Sequence, residues 1–235
     1  MSKIQMCVEF KPRDMHNEAM EDSLVAPTPK TLKWRNGQII RVKFLDGTDF
    51  VKSKVEQYAQ VWEEYVNIKF DFGNHEEAEI RISFKLSGSW SYLGKHCLSI
   101  SDQTIPTMNY GWFDENTQDE EFRRTTLHEF GHALGFGHEH LNPEVDIPWD
   151  KEKVYDYYMG PPNNWTKEMI DYNIFNRYEP KEAVFSPFDD KSIMLYAIPN
   201  ELTIGEYQVG WNTNLSEMDK EFASQYYPKV VETTH

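Results

Sequence analysis

The sequence predicts an α+β fold: a twisted mixed sheet with a helix packed on it, and a loop-rich second half. Three observations predict it. Alternating apolar positions mark strands at 39–45, 68–72 and 79–84, and an apolar stripe at spacings of three and four lies between the first two. That order suits a mixed sheet with a helix on one face. A second helical stretch runs from about Gln118 to Leu134, and beyond His138 proline and asparagine interrupt all but short helices.

Residues 1 to about 33 carry Pro12, Pro27 and Pro29 and no sustained period, so they read as an arm, and Cys7 is its one chemically loaded side chain. Ile39 to Leu45 alternates as a strand that Asp46-Gly47 turns. Val51, Val55, Tyr58, Ala59, Trp62 and Val66 then form the apolar face of a helix over 48–67. Ser87 to Gly94 is loop-like. Of the short apolar runs Cys97–Ile100 and Thr107–Tyr110, one is expected to be an exposed edge strand, able to accept an extended peptide by backbone pairing. Thr117-Gln118-Asp119-Glu120 fits a capping box, and Asp119, Glu120 and Glu121 set negative charge at the positive end of the helix dipole. Short helices are expected near 150–158 and 166–172. Ser216 opens a last helix with Met218, Phe222, Ala223 and Tyr226 on one side, stopped by Pro228. The expected division is an arm over 1–33, an N-terminal subdomain over 34–138 and a C-terminal subdomain over 139–235.

The 24 basic and 39 acidic residues give a net charge of −15, which disfavours nucleic acid and anionic membranes as partners. Aromatic residues at 14% support a packed globule. Cys7 and Cys97 are the only cysteines, enough for one bridge and too few for a disulfide scaffold. No apolar stretch reaches the length of a signal peptide or of a membrane span, so synthesis in the cytoplasm is expected, with leaderless export left open. A monomer is expected.

The chemistry concentrates at 128–138, His128-Glu129-Phe130-Gly131-His132-Ala133-Leu134-Gly135-Phe136-Gly137-His138. Side chains four apart on a helix share a face, so His128 and His132 can grip one ion. Gly135 permits the left-handed turn that ends a helix and returns His138 as a third ligand. Three imidazoles with a fourth position left to water suit a catalytic rather than a structural zinc site. Glu129 is not needed to hold the ion and is free to take a proton from that water. The three ligands draw on a residue type present only eight times in the chain, which disfavours chance spacing.

The H-E-x-x-H-x-x-G-x-x-H stretch resembles the metzincin signature, and Ser192-Ile193-Met194-Leu195-Tyr196 resembles the methionine turn of that group in its astacin-type form. Phe136 to His140, Ser89 to Gly94 and Leu215 to Asp219 are similar to astacin segments as well, so the resemblance covers roughly 36–228, in a bacterial, matrixin-like branch with few cysteines. The resemblance implies a metzincin catalytic domain with a five-stranded sheet. It also implies one catalytic Zn2+ held by His128, His132 and His138, and Glu129 as general base and then acid. Met194 becomes the apolar floor under the metal, and Tyr196 a weak fifth ligand that moves to hydrogen-bond the oxyanion. Two cysteines cannot supply the disulfides of secreted astacins, so loop geometry must be held by packing.

The expected function is zinc-dependent endopeptidase action on protein or peptide substrates. The alternative is a zinc-containing effector or binding protein with weak or no proteolysis, against which the presence of Glu129 argues. A thiolate is a strong zinc ligand, so Cys7 is a candidate inhibitory ligand and the arm a candidate pro-segment, although its flanks do not match the known switch motifs.

Overall fold

The computed structural model describes residues 8–9, 32–161, 163–177 and 186–229. The strands are β1 (Val8–Glu9), β2 (Ile39–Phe44), β3 (Lys69–Phe72), β4 (Ile80–Ser83), β5 (Ser89–Ser91) and β6 (Met108–Tyr110). The helices are α1 (Asp49–Ala59), α2 (Asp119–Leu134), α3 (Lys151–Met159), α4 (Lys167–Ile170) and α5 (Glu217–Tyr226). The sheet order is β1-β5-β6-β4-β2-β3. Strands β6, β4, β2 and β3 are mutually parallel, β5 runs antiparallel to β6, and β1 lies parallel to β5. The five expected strands are thus joined by a sixth from the arm, which was expected to carry no core element.

The edge strand is not where the apolar runs pointed. Cys97 to Ile100 falls in a 3-10 turn, Gly94–Ser99, and its capping residue, while β6 sits inside the sheet between β5 and β4. The five strands end at β3 on one side and, beyond β6, at β5 on the other, in the stretch expected to be a loop. Three residues, Ser-Trp-Ser, are too few to show a period, and pairing with β6 rather than local pattern makes them a strand.

Helix α1 begins at the N-cap Thr48, whose side chain accepts from the Val51 N–H, and it tightens into a 3-10 turn at Gln60–Glu64. Its buried Val51, Val55 and Trp62 join Ile40, Val42, Ile80 and Ile82 of the sheet and Phe122, Leu127 and Phe130 of α2 in one core. The expected capping box at the start of α2 does not form. Gln118 is the N-cap with no side-chain bond, and the Thr117 hydroxyl instead accepts from the Asp114 N–H, closing the preceding turn. The acidic first turn of Asp119, Glu120 and Glu121 is present.

At its other end α2 has unusual partners. Trp34 Nε1–H donates to Ala133 O at 2.7 Å and Tyr227 O–H to Leu134 O at 2.7 Å, satisfying carbonyls that a helix end leaves open. Trp62 Nε1–H reaches Leu127 O at 2.9 Å. Helix α5, which carries the capping box Ser216/Asp219, thereby packs back against the first half through Tyr227. Smaller clusters, one of them including Val154, Trp165, Ile174 and Tyr196, fill the second half.

The expectation that packing replaces disulfides acquires a polar member. The buried Arg81 guanidinium donates to Ile105 O, Ala78 O and Ile100 O at 2.7, 2.9 and 2.9 Å, pinning the loop between β5 and β6. Cys97 is a buried free thiol, with its pKa pushed up to about 12 by burial, and Cys7 lies outside the described residues.

Candidate metal centre and active-site cleft

His128 and His132 face the same way from the last two turns of α2. Gly135 then takes φ +97°, and its N–H turns back to Gly131 O and His132 O, which closes the helix and redirects the chain. His138 follows in an extended conformation and returns to the first two. Its Nε2 is 3.0 Å from that of His132, which is 3.1 Å from that of His128.

The other ring nitrogens decide what these contacts mean. His128 Nδ1–H donates to Ile193 O and His132 Nδ1–H to Phe136 O, both at 2.8 Å, because a carbonyl can only accept. Burial holds the pKa of all three imidazoles well below the ordinary value, His132 to about 4, so they are neutral. The Nε2 atoms of His128 and His132 are therefore bare lone pairs aimed at one point. Nitrogens bound at 2.0–2.1 Å to a tetrahedral zinc lie about 3.3 Å apart, close to what is observed. The donor set fits one zinc ion, and among the described residues it is the one group of this kind.

Below the ligands, Met194 is buried against the helix. A Cβ on Gly131 would stand 2.4 Å from Met194 Sδ, so the glycine between the two helical ligands is what lets the methionine approach. Tyr196 is buried with its ring centroid 4.3 Å from that of His138 and its hydroxyl 3.5 Å from His138 Nδ1.

Glu129 is buried in α2 and lines a pocket with His128, Tyr196, Trp112, Arg124 and Trp211. The Arg124 guanidinium lies 3.9 Å over the Trp211 ring and forks onto Glu121 at 2.6 and 3.1 Å. Sequence reasoning missed Arg124, Trp112 and Trp211. Arg124 was legible, being four residues before His128 on the same helical face. Nothing local connects Trp211 to the motif. Also missed was His140, whose ring packs 4.8 Å from Tyr196, whose Nε2–H donates to Asn173 O at 2.6 Å, and whose Nδ1 has no hydrogen-bond partner.

Residues 27–227 match the family profile described as Astacin, a peptidase family. The chain belongs to the astacin family. Among solved structures this astacin is similar to myroilysin. One structure is 47% identical with a TM-score of 0.83, covering 87% of this chain and 99% of that one. A second is 43% identical with a TM-score of 0.71, covering 96% and 91%. The high choriolytic enzyme of Oryzias latipes (medaka fish), a hatching enzyme zinc-protease, is 18% identical with a TM-score of 0.59 over 89% of this chain and 98% of that one, and shares its fold. Astacin-like metalloprotease toxin 5 of Loxosceles gaucho is 36% identical over 72 residues, 31% of this chain. The matched part spans 33% of that curated relative's length. Astacins are zinc enzymes, and the three histidines form the candidate zinc site of this one. The metzincin fold expected from the motifs is the fold observed.

Proposed function

We propose that this astacin is a zinc-dependent endopeptidase that hydrolyses peptide bonds of protein substrates. The observation that carries the reading is the convergence of three neutral imidazole Nε2 atoms, with His128 and the buried Glu129 lining one pocket. His128, His132 and His138 would hold a zinc ion, which would lower the pKa of water toward 7 and polarise a carbonyl. Glu129 accepts the proton of the attacking water and passes it to the leaving amine. Tyr196 would be available to the metal as a weak fifth ligand, and its O–H would donate to the oxyanion. The chain acts as a monomer, with the substrate between subdomains over 34–138 and 139–235.

Glu129→Ala should keep zinc and lose hydrolysis of a generic protein substrate, by a factor on the order of 10²–10⁴. Stoichiometric zinc together with turnover close to that of the parent would sink the assignment. An effector or binding protein would have no use for Glu129, so the same variant separates the two readings.

We further propose that residues 1–33 restrain the enzyme and that Cys7 is the inhibitory zinc ligand. Support comes from β1, which begins one residue after Cys7 and covers β5, a strand whose edge could otherwise accept an extended peptide. Cys7→Ala should raise the initial rate of the full chain at fixed zinc. Equal rates for variant and parent would remove the cysteine from the account.

A further inference from the structure

The methionine turn is tied to α5 by bonds that the helix does not need for its own capping. Asp219 Oδ2 accepts from Ser216 N–H at 2.9 Å, which completes the capping box, and from Ile193 N–H at 2.8 Å. Its other oxygen, Oδ1, accepts from the Ser192 hydroxyl at 2.6 Å. The same hydroxyl oxygen accepts from Met194 N–H at 3.0 Å. That N–H belongs to the peptide group between Ile193 and Met194, whose carbonyl oxygen takes the His128 Nδ1–H at 2.8 Å.

These groups form one line: imidazole to peptide carbonyl, peptide N–H to hydroxyl, hydroxyl to carboxylate. Metal-binding histidines commonly give their second N–H to a carboxylate, which fixes the ring and raises its basicity. Here the carboxylate stands two groups further out. Each bond in such a chain polarises the next, and burial of Ser192 and His128 keeps water from interrupting it.

We propose that Ser192 and Asp219 are positioning residues for the metal, acting on His128 through the Ile193–Met194 peptide. The inference rests on the three-histidine zinc site but not on peptidase activity. It gives separate reasons for the serine of the Ser-x-Met-x-Tyr motif and for the aspartate at the third position of α5. Neither residue touches the ion, and the effect requires both in line.

The test is zinc affinity of the full chain, measured by competition with a chromogenic chelator, together with the visible absorption of the Co(II)-substituted protein. Ser192→Ala breaks the line while leaving Asp219 on the Ile193 and Ser216 N–H groups. Ser216→Ala removes the cap hydroxyl of α5 while leaving the line intact. The expected result is zinc binding weakened on the order of tenfold with shifted cobalt bands for Ser192→Ala, and zinc binding within about twofold of the parent for Ser216→Ala. Asp219→Asn, which keeps an acceptor for the backbone N–H groups and removes the charge, should weaken zinc too, and it decides the matter if Ser192→Ala does not fold. Parent-like affinity and cobalt spectrum in Ser192→Ala, or in Asp219→Asn where it stands in, would overturn the relay. So would equal weakening in Ser216→Ala. A parent chain that binds no zinc would overturn the metal site itself, and the relay with it.

Discussion

Tyr196 is held from three sides, by His138 at 4.3 Å, His140 at 4.8 Å and His128 at 5.7 Å between ring centroids. Its ring and its hydroxyl can therefore be tested apart. Tyr196→Phe keeps the stacking and removes the O–H donor. Loss of one oxyanion donor costs about 10²–10³ in turnover, so the expected outcome is a fall of that order with zinc content unchanged. Turnover close to that of the parent would assign Tyr196 to packing alone. At this scale most of the site was legible. His128, Glu129, His132, Gly135 and His138 are bound by spacings within one helix and its cap. His140 was not singled out as a site residue, because its meaning comes from Tyr196 and Asn173, both distant in sequence.

Among the elements, α2 is held at its C-terminal end by side chains rather than by its own sequence. Tyr227 donates to Leu134 O and accepts from the Trp34 N–H at 3.1 Å, linking the start of the described domain to its last helix. Tyr227→Phe leaves a carbonyl and an N–H unpaired where the ring is fully buried. An unsatisfied buried group costs about 1–3 kcal/mol, so the urea midpoint of the metal-free protein should fall accordingly. An unchanged midpoint would mean that water reaches both groups. The apolar faces of α1 and α5 were readable from their period. The start of α2 falls where it was expected, but its cap was misjudged, since Thr117 satisfies Asp114 rather than the helix, and either partner fits the same local sequence.

Over the whole molecule, buried titratable groups oppose one another. Burial raises Glu139 from 4.5 to about 7, although its carboxylate accepts from Asp189 N–H and from Asn142. Between those pH values the folded chain holds a proton that the unfolded chain has released. The contribution of Glu139 to stability is therefore full below 4.5 and lost as pH rises to about 7. His132 and His140, lowered to about 4, have the other sign and lose their contribution as pH falls from 6.5. Glu139→Gln keeps an oxygen for both donors and abolishes the titration. Its stability relative to the parent should rise from pH 5 to pH 7 and stay level above, read by urea denaturation in the presence of chelator. The histidines are common to both proteins, so a difference that is flat across this range would refute the shift.

The sequence alone determined the three histidines that converge, the turn at Gly135, the apolar faces of α1 and α5 and, through the two motifs, the metzincin fold. Those features are local: each depends on residues within a few positions of one another, where helical period and glycine φ leave a readable pattern. Tertiary structure decided which strand is the edge, what lines the pocket and what holds the ligands. His128 leans on a carbonyl 65 residues away, and Trp34 on a hydroxyl 193 residues away. Such pairings carry no local signature, because the chain between them can close its loop in many ways and packing selects one.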